Sequence, residues 1–251
     1  MIINTINPVL LEFGPFQIRY YGLVYVLAFL ATYFFLYRIV GKKRIRNFHP
    51  VDVELFLVYL MLGVVIGSRV FEIVFFNLDY YLASPLKIFA FWEGGMSFHG
   101  GIFGSLLAVW VFCRKKGIDF LELADFLVLP AAFFLALGRI ANFTNHEIYG
   151  RISGLPWCVK FRTADGCRHP YQIYSAVKRL MIFFVLLFIY QKRKFRKGFV
   201  FWLFVLLMGL GRFAIDFWRA EPTYMGLTMG QILSFFMIIP ATYVLMIKYS
   251  G

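Results

Sequence analysis

The sequence predicts an all-α, polytopic integral membrane protein built as a bundle of seven transmembrane helices. Three observations predict it. Hydrophobic residues make up 61% of the 251 positions and charged residues 16%, against about 45–50% and about 25% in a soluble chain. Apolar runs of about 20 residues recur, each long enough to cross a hydrocarbon core of about 30 Å as a helix. The basic residues are gathered into particular loops. A transmembrane barrel would need alternating segments of about 10 residues, and these are absent. The net charge of +13 is explained by topology and points to no nucleic acid. The length leaves room for one membrane-embedded domain, 1–251, with a small extramembrane part. The first residues, MIINTINPVLLEFGPF, lack the basic region and small-residue cleavage site of a removable signal peptide.

The spans fall at about 18–38, 53–76, 97–113, 120–141, 172–191, 199–217 and 228–248. The third is short and rich in glycine, which a bundle tolerates because small residues let helices approach closely. The loops set the orientation. Arg38, Lys42, Lys43, Arg44 and Arg46 follow span one; Arg114, Lys115 and Lys116 follow span three; Lys192, Arg193, Lys194, Arg196 and Lys197 follow span five. The intervening loops are poor in charge or balanced, with only Glu12 in 1–17 and Asp79, Lys87 and Glu93 in 77–96. The positive-inside rule places the basic loops in the cytoplasm, the N-terminus outside and the C-terminus inside. The longest loop, 142–171, then lies outside. Its mixed charges, Trp157 and two prolines predict a small folded head. Cys158 and Cys167 both fall in it and are either a disulfide or two free thiols; the three cysteines have no metal-ligand spacing.

Ionisable residues inside spans are expensive and are candidate functional groups. This orientation places Tyr21, Arg69, Glu72, His99, Arg139, Arg212 and Asp216, from five helices, in the outer leaflet. Each also has a structural reading. Tyr21 suits an aromatic belt, Arg69 and Glu72 at i, i+3 suit an internal ion pair, and Arg212 and Asp216 at i, i+4 suit another. Arg139 could snorkel, and Asp125 reads as a helix N-terminal cap or a partner of the helix dipole. Lys178 and Arg179, two turns into span five, read as snorkelling or cavity-lining. Taken together, two arginines on a common cavity suit a phosphate, which guanidinium binds bidentately. Asn142 and Asn145 add neutral donors, and a histidine suits a general base or acid. From the residues alone the chain is a membrane enzyme or transporter acting on a phospholipid-like anion.

The densest polar stretch is Gly138-Arg139-Ile140-Ala141-Asn142-Phe143-Thr144-Asn145-His146-Glu147-Ile148-Tyr149-Gly150. It resembles the signature G-R-x-G/A-N-F-x-N-x-E-x-x-G of the bacterial prolipoprotein diacylglyceryl transferases. WEGGMSFHGG at Trp92–Gly101, HPYQIY at His169–Tyr174 and GRFAIDFWR at Gly211–Arg219 are further matching blocks, and the likeness runs from RYYGLVYVLAF at Arg19–Phe29 to MGQILS at Met229–Ser234. The resemblance implies a seven-helix bundle with a periplasmic head in the bacterial inner membrane. It implies transfer of the diacylglyceryl group of phosphatidylglycerol to the lipobox cysteine of a prolipoprotein signal peptide, with no metal or soluble cofactor. By position it gives Arg139 and Arg212 the lipid phosphate, His99 the thiol proton and Tyr21 the orientation of the head group. Asn142, Asn145, Glu147 and Asp216 would hold lipid or position the arginines, and Gly150 would allow the loop its turn. His99 and Tyr21 are both open as the base, and His146 matches no fixed signature position. Asp216 stands where many members carry Glu, one methylene longer. The competing class is an anionic-lipid transporter using the same arginines without bond making.

Overall fold

The computed structural model describes residues 2–14, 16–91, 94–192 and 195–249. Trp92 and Glu93 of the second matching block, and Arg193 and Lys194 of the third basic loop, lie outside the described residues. Among those described, six helices are long and apolar enough to cross a membrane. They are α1 (Tyr20–Gly41), α2 (Asp52–Phe75), α5 (Phe120–Thr144), α6 (Tyr171–Lys192), α7 (Phe199–Ile215, continued by a 3₁₀ turn to Trp218) and α8 (Met229–Tyr249). The short helices are α3 (Leu78–Ala83) and a 3₁₀ turn, Pro85–Phe89. The glycine-rich third span is a continuous helix, α4 (Phe98–Lys116). Its glycines, Ser105 and terminal cations dilute its apolar content, and it is not among the six. Contacts divide the chain into two compact units, Tyr33–Leu123 and Met1–Thr32 with Ala124–Gly251.

In the unit Tyr33–Leu123, α2 packs along α4 through glycines. A Cβ at Gly67 would stand 2.7 Å from the Cα of Gly104, and one at Gly104 would stand 2.9 Å from the Cα of Gly67. The backbones touch, which is the reason for small residues in span three. Phe48, Phe56 and Phe112 close the far end, with ring centroids 5.2–5.9 Å apart. Lys116 pairs with Asp52 at 2.6 Å. The expected Arg69–Glu72 ion pair is replaced by another arrangement. Arg69 is 3% exposed and directs all its N–H groups at backbone carbonyls. Nε donates to Ile88, Nη1 to Gly94 and Gly95, and Nη2 to Lys87 and Ala90, at 2.6–3.0 Å. Glu72 instead accepts from Asn77 Nδ2 at 2.7 Å. A planar fork with five donors gathers the carbonyls of the 3₁₀ turn and of the stretch that follows it.

In the other unit, α7 packs against α6 and α8. Gln231, Ser234 and Ala241 of α8 are buried, whereas Phe236 is 75% exposed and Met246 66%. That inside-polar, outside-apolar pattern suits a helix solvated by lipid. Pro130 lies within α5 without ending it, and the helix runs three residues past its predicted end at 141. Asp125 does not cap its own helix. It accepts from the N–H groups of Gly198 and Phe201 at 2.6 and 2.7 Å, at the start of α7, while Asp119 accepts from Leu121 and Glu122 ahead of α5.

The head is larger than the predicted loop 142–171, because the N-terminal residues join it. Strand β1 (Ile2–Ile3) lies parallel to β4 (Val159–Lys160), which pairs antiparallel with β5 (Cys167–Arg168). Cys158 and Cys167 are joined by a disulfide, Cα atoms 5.5 Å apart. A hairpin, β2 (Val9–Phe13) and β3 (Phe16–Arg19), leads into α1. A smaller one, β6 (Thr223–Tyr224) and β7 (Leu227–Thr228), leads into α8.

Candidate functional site

The polar stretch at the end of α5 folds into a connected relay. Arg139 and Asn142 are three apart on the helix and so share a face. Arg139 Nη1 donates to Asn142 Oδ1 at 3.1 Å. Asn142 Nδ2 donates to Glu147 Oε1 at 2.7 Å, and Asn145 Nδ2 to the same oxygen at 3.2 Å. The turn that brings Glu147 back over the helix needs positive φ at His146 (58°) and Ile148 (55°). It closes with Glu147 N–H donating to the Asn142 carbonyl at 3.2 Å.

His146 holds this turn to the head. Its Nε2 lies 3.0 Å from the Ile6 carbonyl. A carbonyl only accepts, so that nitrogen carries the proton. The His146 carbonyl accepts from Thr163 Oγ1, and Asn4 Nδ2 donates to the Phe143 carbonyl at 2.8 Å. Gly150 is required by space and not by a left-handed turn. Its φ is ordinary, and a Cβ there would stand 2.6 Å from both His169 Cβ and the Trp218 carbonyl. Burial holds the His169 imidazole below the usual histidine pKa.

A second group lies at the end of α7. Asp216 is fully buried. It accepts from the Tyr171 hydroxyl, from Arg212 Nε at 3.4 Å and from Thr228 Oγ1 at 3.5 Å. The carboxylate therefore holds Arg212 by one loose contact and leaves its Nη groups unpartnered among the described residues. Arg139 is within electrostatic range of Arg212 and of Tyr171. Tyr21 sits with its hydroxyl 3.2 Å from that of Tyr25, in range of Arg139 and Glu147. Arg219 pairs with Glu221 at 2.8 Å, beside a cleft of about 390 Å³ lined by Asn145, Glu147, Tyr149, Thr163, Arg219 and Glu221 among others. Two buried acceptors of these residues, Asn145 Oδ1 and Glu221 Oε2, have no hydrogen-bond partner among the described residues. His99 belongs to the unit Tyr33–Leu123 and is exposed at the start of α4. Among the described residues no cluster of three or more His, Cys, Asp or Glu could hold a metal.

The family model for prolipoprotein diacylglyceryl transferase matches residues 8–247. The chain belongs to the prolipoprotein diacylglyceryl transferase family. It is 42% identical over 240 residues to the phosphatidylglycerol–prolipoprotein diacylglyceryl transferase of Geobacter sulfurreducens, covering 93% of this chain and 92% of that one. It is 39% identical to the proteins of the same name from Nitratidesulfovibrio vulgaris (91% and 89% covered) and Methylococcus capsulatus (94% and 92%).

In this member of the transferase family the structure joins Arg139, Asn142, Asn145 and Glu147 in one relay and Arg212 with Asp216 in another. Sequence reading missed the groups that fasten the relays. Tyr171 binds Asp216. Gln172 is fully buried and its Nε2 donates to the Glu147 carbonyl at 2.6 Å. Gln231 accepts from the Thr228 N–H at 2.9 Å and donates to the Phe213 carbonyl at 3.2 Å. Gly230 leaves the space that the Arg212–Asp216 pair fills. Tyr171, Gln172, Gly230 and Gln231 all lie in the HPYQIY and MGQILS blocks, so their positions carried a signal, but their reach across the fold did not.

Proposed function

We propose that this chain is a phosphatidylglycerol–prolipoprotein diacylglyceryl transferase. It moves the sn-1,2-diacylglyceryl group of phosphatidylglycerol to the thiol of the lipobox cysteine of a prolipoprotein, the first step of lipoprotein maturation. The observation that carries this reading, besides family membership, is the pair Arg139 and Arg212. Both are cations inside helical spans, and both have N–H groups unpartnered among the described residues. Such donors suit a phosphate. The thiol sulfur attacks the glyceryl carbon, the carbon–oxygen bond to phosphate breaks, and its electron pair passes to the phosphate oxygen. Glycerol phosphate leaves with one more negative charge than the diester carried, and the arginines stabilise that charge as it grows. Free cysteine has a pKa of about 8.5, so the thiol must lose a proton to a base or to its surroundings. Resemblance gives that proton to His99, with Tyr21 as the other candidate, and Tyr21 otherwise orients the head group. Asn142, Asn145 and Glu147 hold Arg139 in place. The cleft beside Arg219, with its unpartnered acceptors, suits the hydroxyls of the head group.

In this reading α4 is a seventh crossing, the N-terminus is outside and the C-terminus inside, because the loops after α1, α4 and α6 carry the cations. The enzyme then lies in the bacterial inner membrane as one transferase domain, with its head, including 142–171, outside and its site at the outer leaflet. Incubation of the purified protein with phosphatidylglycerol and a lipobox peptide tests the function. A diacylglyceryl mass gain on the peptide cysteine is the expected result. Lipid movement between leaflets with an unmodified peptide would make the chain a transporter instead.

A further inference from the structure

Two cations have no part in the reaction as written above. Lys178 and Arg179 stand two turns into α6, where a charge inside a span is costly. Arg179 is 7% exposed. Its Nη1 donates to the Ser175 carbonyl at 3.1 Å and to Ser175 Oγ, one turn back on its own helix, and its Nε is buried without a partner among the described residues. Lys178 has no hydrogen bond or ion pair among the described residues. Its stem crosses Gly211, where a Cβ would stand 2.5 Å from Lys178 Cδ and 3.0 Å from Cγ. The bare backbone at 211 is what lets the lysine run beside Arg212.

Lys178, Arg179, Arg139 and Arg212 all lie within electrostatic range of one another. Against these four cations stand two carboxylates, Asp216, shared among Tyr171, Arg212 and Thr228, and Glu147, held by Asn142 and Asn145. With Arg219 and its partner Glu221 included, the basic side chains of this layer outnumber its carboxylates by two. A phosphodiester brings one negative charge to it. The phosphomonoester formed when the carbon–oxygen bond breaks brings two, because the bonding pair stays on the phosphate oxygen while the thiol proton leaves with the base.

Resting on the transferase reading above, we propose that Lys178 is a third cation on the substrate phosphate. It contacts the leaving glycerol phosphate and stabilises the second negative charge as it develops, and Arg179, tied to Ser175, adds to the field without touching the lipid. A group matched to the charge of the transition state and not of the bound diester raises turnover without tightening substrate binding.

The test compares wild type, Lys178→Met, Lys178→Gln and Lys178→Arg as full-length protein in detergent micelles, with phosphatidylglycerol and a lipobox peptide. The Met and Gln variants are expected to lose about a hundredfold in kcat with KM for phosphatidylglycerol nearly unchanged, and Lys178→Arg to keep most of the activity. Inhibition by added glycerol 1-phosphate should weaken at least about tenfold in the two neutral variants. Unchanged kcat, a change confined to KM, or equal loss in Lys178→Arg together with a lowered melting temperature would each overturn the proposal, the last by making Lys178 a packing residue over Gly211. Failure of wild type to modify the peptide would remove the transferase reading itself, which an active wild type with an active Lys178→Met would leave standing.

Discussion

Arg69 and Arg139 are both arginines inside helical spans, and their surroundings treat them oppositely. Arg69 meets five carbonyls with five N–H groups and is sealed between the rings of Tyr81 and Phe91, 5.0 and 5.3 Å from its guanidinium. Arg139 meets one side-chain oxygen, at 3.1 Å, and Arg212 one more, at 3.4 Å. A satisfied guanidinium is part of the fold, since a buried donor without an acceptor costs free energy. A guanidinium with donors to spare, held in a relay of side chains, suits the anion-binding role proposed above. The number of unused N–H groups therefore separates the two arginines, where burial alone would rank Arg69 as the stronger candidate.

The largest effect that would sharpen this contrast is on turnover. Arg139→Ala and Arg212→Ala should each lower kcat/KM for peptide modification by about a thousandfold or more, read by mass spectrometry, while the protein remains monodisperse. Full activity in either variant would remove phosphate binding from that residue. Arg69→Met should do the reverse. It leaves the carbonyls of Ile88, Ala90, Gly94 and Gly95 without their donor, and at about 1–3 kcal/mol per orphaned buried group it should cost at least about 3 kcal/mol of stability. Yield and melting temperature should fall, and the fraction that folds should keep near-normal specific activity. A stable but inactive Arg69→Met would break the comparison, because it would make Arg69 part of the chemistry.

A smaller effect is expected one step along the relay. Asn142→Ala removes the bridge between Arg139 and Glu147 without touching either, and a misplaced guanidinium should cost up to about a hundredfold in kcat/KM. If Asn142→Ala behaves as wild type, the relay does not position Arg139.

The helices were legible because charge bounds every apolar run, so each predicted span overlaps its helix with ends shifted by at most three residues. The glycines of α4 were legible as a close approach. The polar residues were legible as candidates but not as partners. Arg69 with Glu72 satisfies the i, i+3 rule, yet the carbonyls of 87–95 outcompete a carboxylate that Asn77 already holds. Asp125 lies near the start of its own helix, but the helix it caps begins more than 70 residues later. The head was legible as a folded loop but its strand pairing was not, because strands of two residues have no periodicity and nothing local announces that Ile2 pairs with Val159. The ring contact of His146 with the Ile6 carbonyl is visible only in the fold.

Gly150 carries the contrast into the head. The β-bridge to Arg219 brings the end of α7 against the signature turn, and no side chain fits between. Gly150→Ala should cost about 1–3 kcal/mol by overpacking. It should also lower activity through Glu147, since Gln172 ties the same turn to α6. A melting temperature within a degree of wild type would show that the head can shift to admit the methyl group.

The smallest expected effect is the pH response of His169, the neighbour that Gly150 leaves room for. Its Nδ1 lies 3.2 Å from the Tyr174 hydroxyl, which also accepts from Trp157 Nε1 at 2.9 Å. Burial lowers its pKa below the unfolded value of about 6.5. Between the two pKa values the unfolded chain binds more protons than the folded one, so stability rises with pH there. The contribution is level above about pH 7.5, starts to fall as pH drops through about 6.5, and is lost once pH passes below the folded pKa. Thermal unfolding at pH 7.5 and 5.5 should show wild type losing more stability on acidification than His169→Gln. Equal losses would mean that the imidazole takes up its proton as readily in the head as in the unfolded chain, and that acid sensitivity arises elsewhere.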